Sequence, residues 1–194
     1  MSAQLPRNIA VLLETVSTTK SAAEVVAAAR DLLEISEGLG DLGRSFEAFR
    51  EMSRVFGILE ENRNGQRILD GWSKLAHLFG ESRRNGARAI LDGSGTEVSE
   101  APSGFEAVGG RWERIVPELD GFEKDEREIE RSLAEQPVSA STGLPFRSRL
   151  LLLDRRAERI KVACDLLRRD LVLAARSGLE RLGTGGKSDP EGGS

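Results

Sequence analysis

The chain has 194 residues, enough to bury one core, and a formal net charge of -4 that gives no general reason to bind nucleic acid, whose affinity rests on neutralised phosphates. Charged residues make up 31% and hydrophobic ones 39%, with 5% aromatic and no Tyr, a balance that points to helices with surface ion pairs and away from a β-sandwich. A single cysteine, Cys164, excludes an intrachain disulfide and any Cys-based zinc site within one chain.

The N-terminal segment lacks the basic start, long apolar centre and cleavage site of a signal peptide, and is read as mature sequence. Pro6 suits a first helical turn, and Ile9, Leu12, Leu13 and Val16 give the following helix its apolar side. Ser17, Thr18 and Thr19 weaken it, and the helix is expected to end or bend there. Ser21 and Glu24 have the spacing of a capping box and start a second helix that is expected to stop near Gly38. Gly38, Gly40 and Gly43 then predict a turn. A third helix follows, with Leu42, Phe46, Phe49, Met52, Phe56 and Leu59 in one stripe and Arg44, Glu47, Arg50, Glu51 and Arg54 on the other side. Beyond a break at residues 62–65, Ile68, Trp72, Leu75 and Phe79 recur at helical spacing, and residues 92–104 read as a linker.

The second half is more regular. Phe105, Val108, Trp112, Ile115, Leu119, Phe122, Ile129 and Leu133 keep a 3-4 beat broken only by Glu126, and Pro117 should kink this helix. Residues 136–145 are a Ser, Pro and Gly loop. In the last and longest helix, Leu150, Leu153, Ala157, Ile160, Cys164, Leu167, Leu171, Ala174 and Gly178 recur every 3 or 4 residues. Ala157, Cys164 and Gly178 are small enough to let another backbone approach, and Leu167 and Leu171 fill the helix-packing face between them. Val162, Leu166 and Leu173 widen the apolar surface.

No residue set reads as catalytic or metal-binding. Residues 183–188 end like a phosphate-binding loop, yet Arg181 stands where that motif needs its first Gly, and the segment follows a helix instead of a strand. His77 has no second His or Cys at ligand spacing and no nucleophile to serve, so it reads as structural. Cys164 lies on the packing stripe, where a thiol behaves as a small hydrophobe. Glu123, Asp125, Glu126, Glu128 and Glu130 interleave with Lys124, Arg127 and Arg131 as solvated helix pairs do. No cofactor and no metal are expected, and the chain is read as a non-enzyme. The Phe-rich stripe leaves two readings open: it packs in a core or against a partner, or it lies in a membrane interface, a role that Glu47 and Glu51 disfavour beside the arginines.

Several segments in chain order resemble the peroxisomal biogenesis factor 11 family, peroxins that elongate and divide the peroxisome. They are residues 13–20 with 25–33, residues 45–60, residues 87–93, and residues 160–166 followed by 174–179. Residues 45–60 are similar to the family's amphipathic helix, and the Cys164-Asp165 step to its Cys-Asp helix. The Gly-Arg-Asp-Lys-like signature and the closing hydrophobic hairpin of that family have no counterpart here. The resemblance implies a peripheral peroxisomal membrane protein that remodels membranes during fission. It implies that Phe46, Phe49, Met52, Phe56 and Leu59 wedge into one leaflet while Arg44, Arg50 and Arg54 meet anionic headgroups.

The sequence therefore predicts an all-α bundle of about five or six helices, two of them long and in the C-terminal half, within a single domain 1–183 and a flexible tail 184–194. The expected function is peroxisomal membrane shaping through the amphipathic helix and self-association. The alternative is a soluble cytoplasmic adaptor or scaffold whose stripes bind partner helices. The expected partners are an anionic membrane surface, a second copy as a homo-oligomer, or a helical protein, and no nucleic acid.

Overall fold

The computed structural model describes residues 3–61, 71, 74, 97–135 and 143–185. A short strand, β1 (Gln4–Pro6), leads directly into α1 (Arg7–Thr18), with Pro6 in extended conformation at the helix entrance. Proline suits that position because its missing N–H has no helical partner to lose. The helix ends as its sequence dictates: the hydroxyls of Ser17 and Thr18 donate to the Glu14 carbonyl at 2.9 and 2.8 Å.

Ser21 then precedes α2 (Ala22–Glu61), a continuous helix of 40 residues. The turn expected at Gly38, Gly40 and Gly43 does not form. Local propensity lost to packing at this point. A Cβ at Gly43 would lie 3.6 Å from the Cβ of Cys164, and one at Gly40 would lie 3.4 Å from the Arg168 guanidinium, so these glycines bring the backbone of α2 close to the last helix. Two of the predicted helices are thus one. Four helices span the described residues where the pattern predicts five or six. The predicted stripe Ile68, Trp72, Leu75 and Phe79, together with His77, lies outside those residues.

The predicted linker is partly structured. Its residues Val98–Glu100 form β2, which pairs antiparallel with β1 so that Pro6 faces Val98 and Gln4 faces Glu100. A turn follows in which Gly104 has φ 90, a conformation that glycine adopts without strain. Glu106 accepts from the Gly104 N–H at 3.1 Å at the start of α3 (Glu106–Glu135). Pro117 lies inside α3, which continues through it. The last helix, α4 (Gly143–Gly185), begins inside the predicted 136–145 loop and takes in Gly183 and Thr184 of the predicted loop-like end and tail.

Helix α4 is the axis of the bundle. Its buried line, Leu150, Leu153, Ala157, Ile160, Cys164, Leu167, Leu171, Ala174 and Ala175, faces α2 most extensively, then α3 and α1. Both α2 and α3 run antiparallel to α4, as the pairing of Glu47 with Lys161 and Arg50 with Asp154, and of Glu118 with Arg159 and Asp125 with Arg156, requires. Phe122 of α3 closes the triangle by meeting Phe46 and Phe49 of α2. All three rings are buried, each worth roughly 1.5–3 kcal/mol relative to exposure.

Helix α1 is fastened across the end of α4. Gly178 is buried where a Cβ would come within 3.0 Å of the Val16 carbonyl oxygen. One turn on, the Arg181 guanidinium donates to the carbonyls of Val16 at 3.0 Å and Thr19 at 2.8 Å. These groups belong to the end of α1, where carbonyls lack intrahelical partners and a cation meets the negative end of the helix dipole.

Candidate functional site

The Phe-rich stripe turns inward. Phe46, Phe49 and Phe56 are buried, Met52 is exposed at the edge of the stripe, and the Leu59 side chain lies outside the described ones. The arginines assigned with them divide the same way. Arg44 and Arg54 are exposed and paired along their own helix, Arg44 with Asp41 and Arg54 with Glu51 at 2.8 Å. Arg50 is turned toward α4, where it meets Asp154 at 3.4 Å and also pairs with Glu158. The structure does not gather the seven described side chains of this set on one surface. The predicted helix-packing residues are gathered: Ala157, Cys164, Leu167, Leu171 and Gly178 all lie on the buried line of α4.

Cys164 is fully buried, and burial, reinforced by the charge of Asp165, pushes its thiol up to about 12. A thiol so far from its thiolate form is not a nucleophile at neutral pH. The charged residues that flank the core form two seams along α4. On the α2 side, Lys161 lies 3.1 Å from Glu47 and holds that carboxyl below its ordinary value, while Ser53 donates to Asp154 at 3.1 Å. On the α3 side, Arg156 bridges Asp125 at 2.6 Å and Glu118 at 3.2 Å, and Arg159 reaches Glu118 at 2.8 Å. The bond from Arg159 holds the Glu118 carboxyl below its ordinary value. Each of these perturbed groups has a structural partner on a neighbouring helix, and none opens onto a nucleophile. Among the described residues no three His, Cys, Asp or Glu side chains are grouped to hold a metal ion.

Among the described residues, the outer face of α4 carries a line of exposed large apolar side chains. Leu151, Val162, Leu166 and Leu173 are 52%, 46%, 38% and 50% exposed. Their spacings of 11, 4 and 7 residues are close to three, one and two helical turns, so the four side chains fall along one face. That line lies opposite the buried one: at 100° per residue Val162 and Leu173 stand about half a turn from Ile160 and Leu171. Arg155, Arg169 and Arg176 share the line, exposed and with no acidic partner among the described residues. Sequence periodicity registered Val162, Leu166 and Leu173 only as a widening of the core face. Their role as a separate outer line was hidden because α4 is apolar on both sides.

The fold and this surface define an all-α helical bundle with a laterally exposed helix and no recognisable reaction centre among the described residues. No family model, no curated protein and no solved structure matches the chain. No described helix is long and apolar enough to cross a membrane.

Proposed function

We propose that this protein is a non-enzymatic helical adaptor or scaffold that binds a partner helix on the outer face of α4. The observation that carries this reading is the line of Leu151, Val162, Leu166 and Leu173, exposed on the side of α4 that the bundle leaves uncovered. Apolar surface left in water costs roughly 25 cal/mol per Å² relative to burying it. A whole line of large apolar side chains on a helix otherwise well packed is what a docking surface needs and what a purely structural helix would replace with polar residues. The charged seams on either side of α4 tie it to α2 and α3, so the line is presented on a helix fixed within the bundle.

The resemblance to the factor 11 peroxins supports a second reading, a peripheral membrane-shaping protein of the peroxisome. Of its proposed wedge, Phe46, Phe49, Met52, Phe56 and Leu59, the rings of Phe46 and Phe49 meet Phe122 and Phe56 is buried, so the reading requires α2 to leave the bundle before it can enter a leaflet.

Flotation with anionic vesicles at low and high salt, beside photo-crosslinking from Val162 and Leu173 in cells, separates the two. The adaptor reading expects the protein to stay with the unbound fraction and to crosslink from α4 and not from a control at Glu37. Salt-sensitive flotation that Phe49→Glu blocks while the variant stays folded would replace the adaptor reading with the membrane one.

A further inference from the structure

We infer that the occupant of the α4 face is an acidic amphipathic helix, and not a second copy of this chain; this rests on the docking reading above and names its partner class. The inference comes from the charges threaded through the apolar line. Arg155, Arg169 and Arg176 stand on it without ion pairs among the described residues, whereas Arg156 and Arg159 are engaged with α3, Lys161 with Glu47, and Arg181 with the end of α1, and Arg168 lies off the line, beside Gly40 of α2. The acids beside the line are mostly engaged as well, Glu158 by Arg50 and Asp165, at 3.9 Å, by Lys161. Glu180 is the remaining acid on the line, and it has no ion pair among the described residues.

Three free arginines against one free carboxylate decide between occupants. Two copies of α4 packed in parallel would set each arginine against its own image, and like charges facing each other in a helical seam are destabilising. Antiparallel packing gives Glu180 one arginine and leaves the other two without an acid. A partner helix with Leu or Ile at seam positions and Glu or Asp flanking them satisfies all three, with the apolar line supplying affinity and the arginines supplying orientation and discrimination. Arginine is suited to this, because its planar fork takes a carboxylate in two parallel hydrogen bonds. A flat anionic bilayer fits less well. The apolar line is one residue wide and is flanked by Glu158, Asp165 and Glu180, which would be pressed against the headgroups.

The test uses the full chain and two synthetic helical peptides with the same Leu seam, one flanked by Glu and one by Lys, together with phosphatidylcholine–phosphatidylserine vesicles and a size measurement across concentration. The acidic peptide is expected to bind about ten-fold or more tightly than the basic one, with affinity falling as salt rises. Leu166→Glu with Leu173→Glu should abolish binding while leaving the thermal midpoint close to wild type, since both side chains are exposed. Reversing the arginines (R155E, R169E, R176E) should transfer the preference to the basic peptide. Equal binding of both peptides, still lost in the Leu variant, would overturn the acidic partner and leave the docking face standing. Binding by neither peptide, with the Leu variant unchanged in every assay, would overturn both. A dimer that the Leu variant dissolves would assign the face to a second copy, and vesicle binding that it abolishes would assign the face to a membrane; either result overturns this inference.

Discussion

Phe122 on α3 meets Phe46 on α2 edge to face, with ring centroids 5.0 Å apart and planes at 89°. Phe49 approaches the same ring from its own side at 4.9 Å, so one aromatic from the second half of the chain anchors two from the first. Edge-to-face pairs of this kind add roughly 0.5–1.5 kcal/mol to the burial of the rings themselves.

Removing that anchor should be costly. Phe122→Ala is expected to destabilise the fold by about 3–5 kcal/mol, read from urea unfolding, because the cavity would be lined by two rings that cannot both collapse into it. Phe49→Glu should be at least as damaging, since it buries an unpaired charge. A Phe49→Glu protein with wild-type stability would show that this face is not part of the folded core.

Gly178 should tolerate no side chain. A Cβ there would meet the Val16 Cβ at 2.9 Å and its carbonyl oxygen at 3.0 Å, and the second is backbone that cannot swing aside. Gly178→Ala is therefore expected to lower stability by about 1–3 kcal/mol, despite alanine's better helix propensity, and to speed hydrogen exchange in α1 before the rest of the bundle. A stabilised variant would mean that α1 does not sit on α4 in solution.

Acid should loosen the bundle through its seams. The Glu118 carboxyl is held below its ordinary value of 4.5, chiefly by the hydrogen bond from Arg159, and Glu47 is lowered chiefly by Lys161. A lowered carboxyl contributes stability that is complete above its ordinary value and fades as pH falls through the lowered one. The melting temperature should decline as pH falls below about 4.5, and Glu118→Gln should lower the midpoint at neutral pH while flattening that decline. A variant with the unaltered acid profile would show that this pair does not carry the linkage.

Cys164 should be silent toward thiol reagents until the protein opens. With the thiol fully buried and pushed up to about 12, labelling in native buffer is expected to be slower than in urea by at least about 10³-fold, and to track the unfolding equilibrium. Fast labelling of the native protein would place Cys164 at a surface.

Periodicity made the two C-terminal helices legible, because Phe105 to Ile129, broken only at Glu126, and Leu150 to Ala174 each keep an apolar line on one side. The break at Gly38 to Gly43 was misread for a definite reason. Glycine marks both a helix end and a close helix crossing, and only the presence of Cys164 and Arg168 opposite these residues distinguishes the two. The same ambiguity affects the Phe stripe, whose spacing is equally suited to a core and to a lipid interface until Phe122 is known to face it. The β1–β2 pairing could not be foreseen, since it joins three residues at each end of a long separation and neither segment alternates long enough to announce a strand. The outer line of α4 was present in the sequence as Val162, Leu166 and Leu173, but a helix that is apolar on two sides does not say which side is the inner one.

The seams on the two flanks of α4 also restrict how this molecule can move. Lys161 is matched to Glu47 on one side while Arg156 and Arg159 are matched to Asp125 and Glu118 on the other, so α4 is indexed twice along the same axis. Sliding it by one helical turn, about 5.4 Å, would part Lys161 from Glu47 and disturb the pairs on the other flank in the same move. A tilt of α4 as a rod therefore disturbs these seams less than a lengthwise ratchet would, and is the motion expected to couple binding on the outer face to the rest of the bundle. The far end near Arg181, where α1 is tied on, is the point at which such a tilt would first be felt.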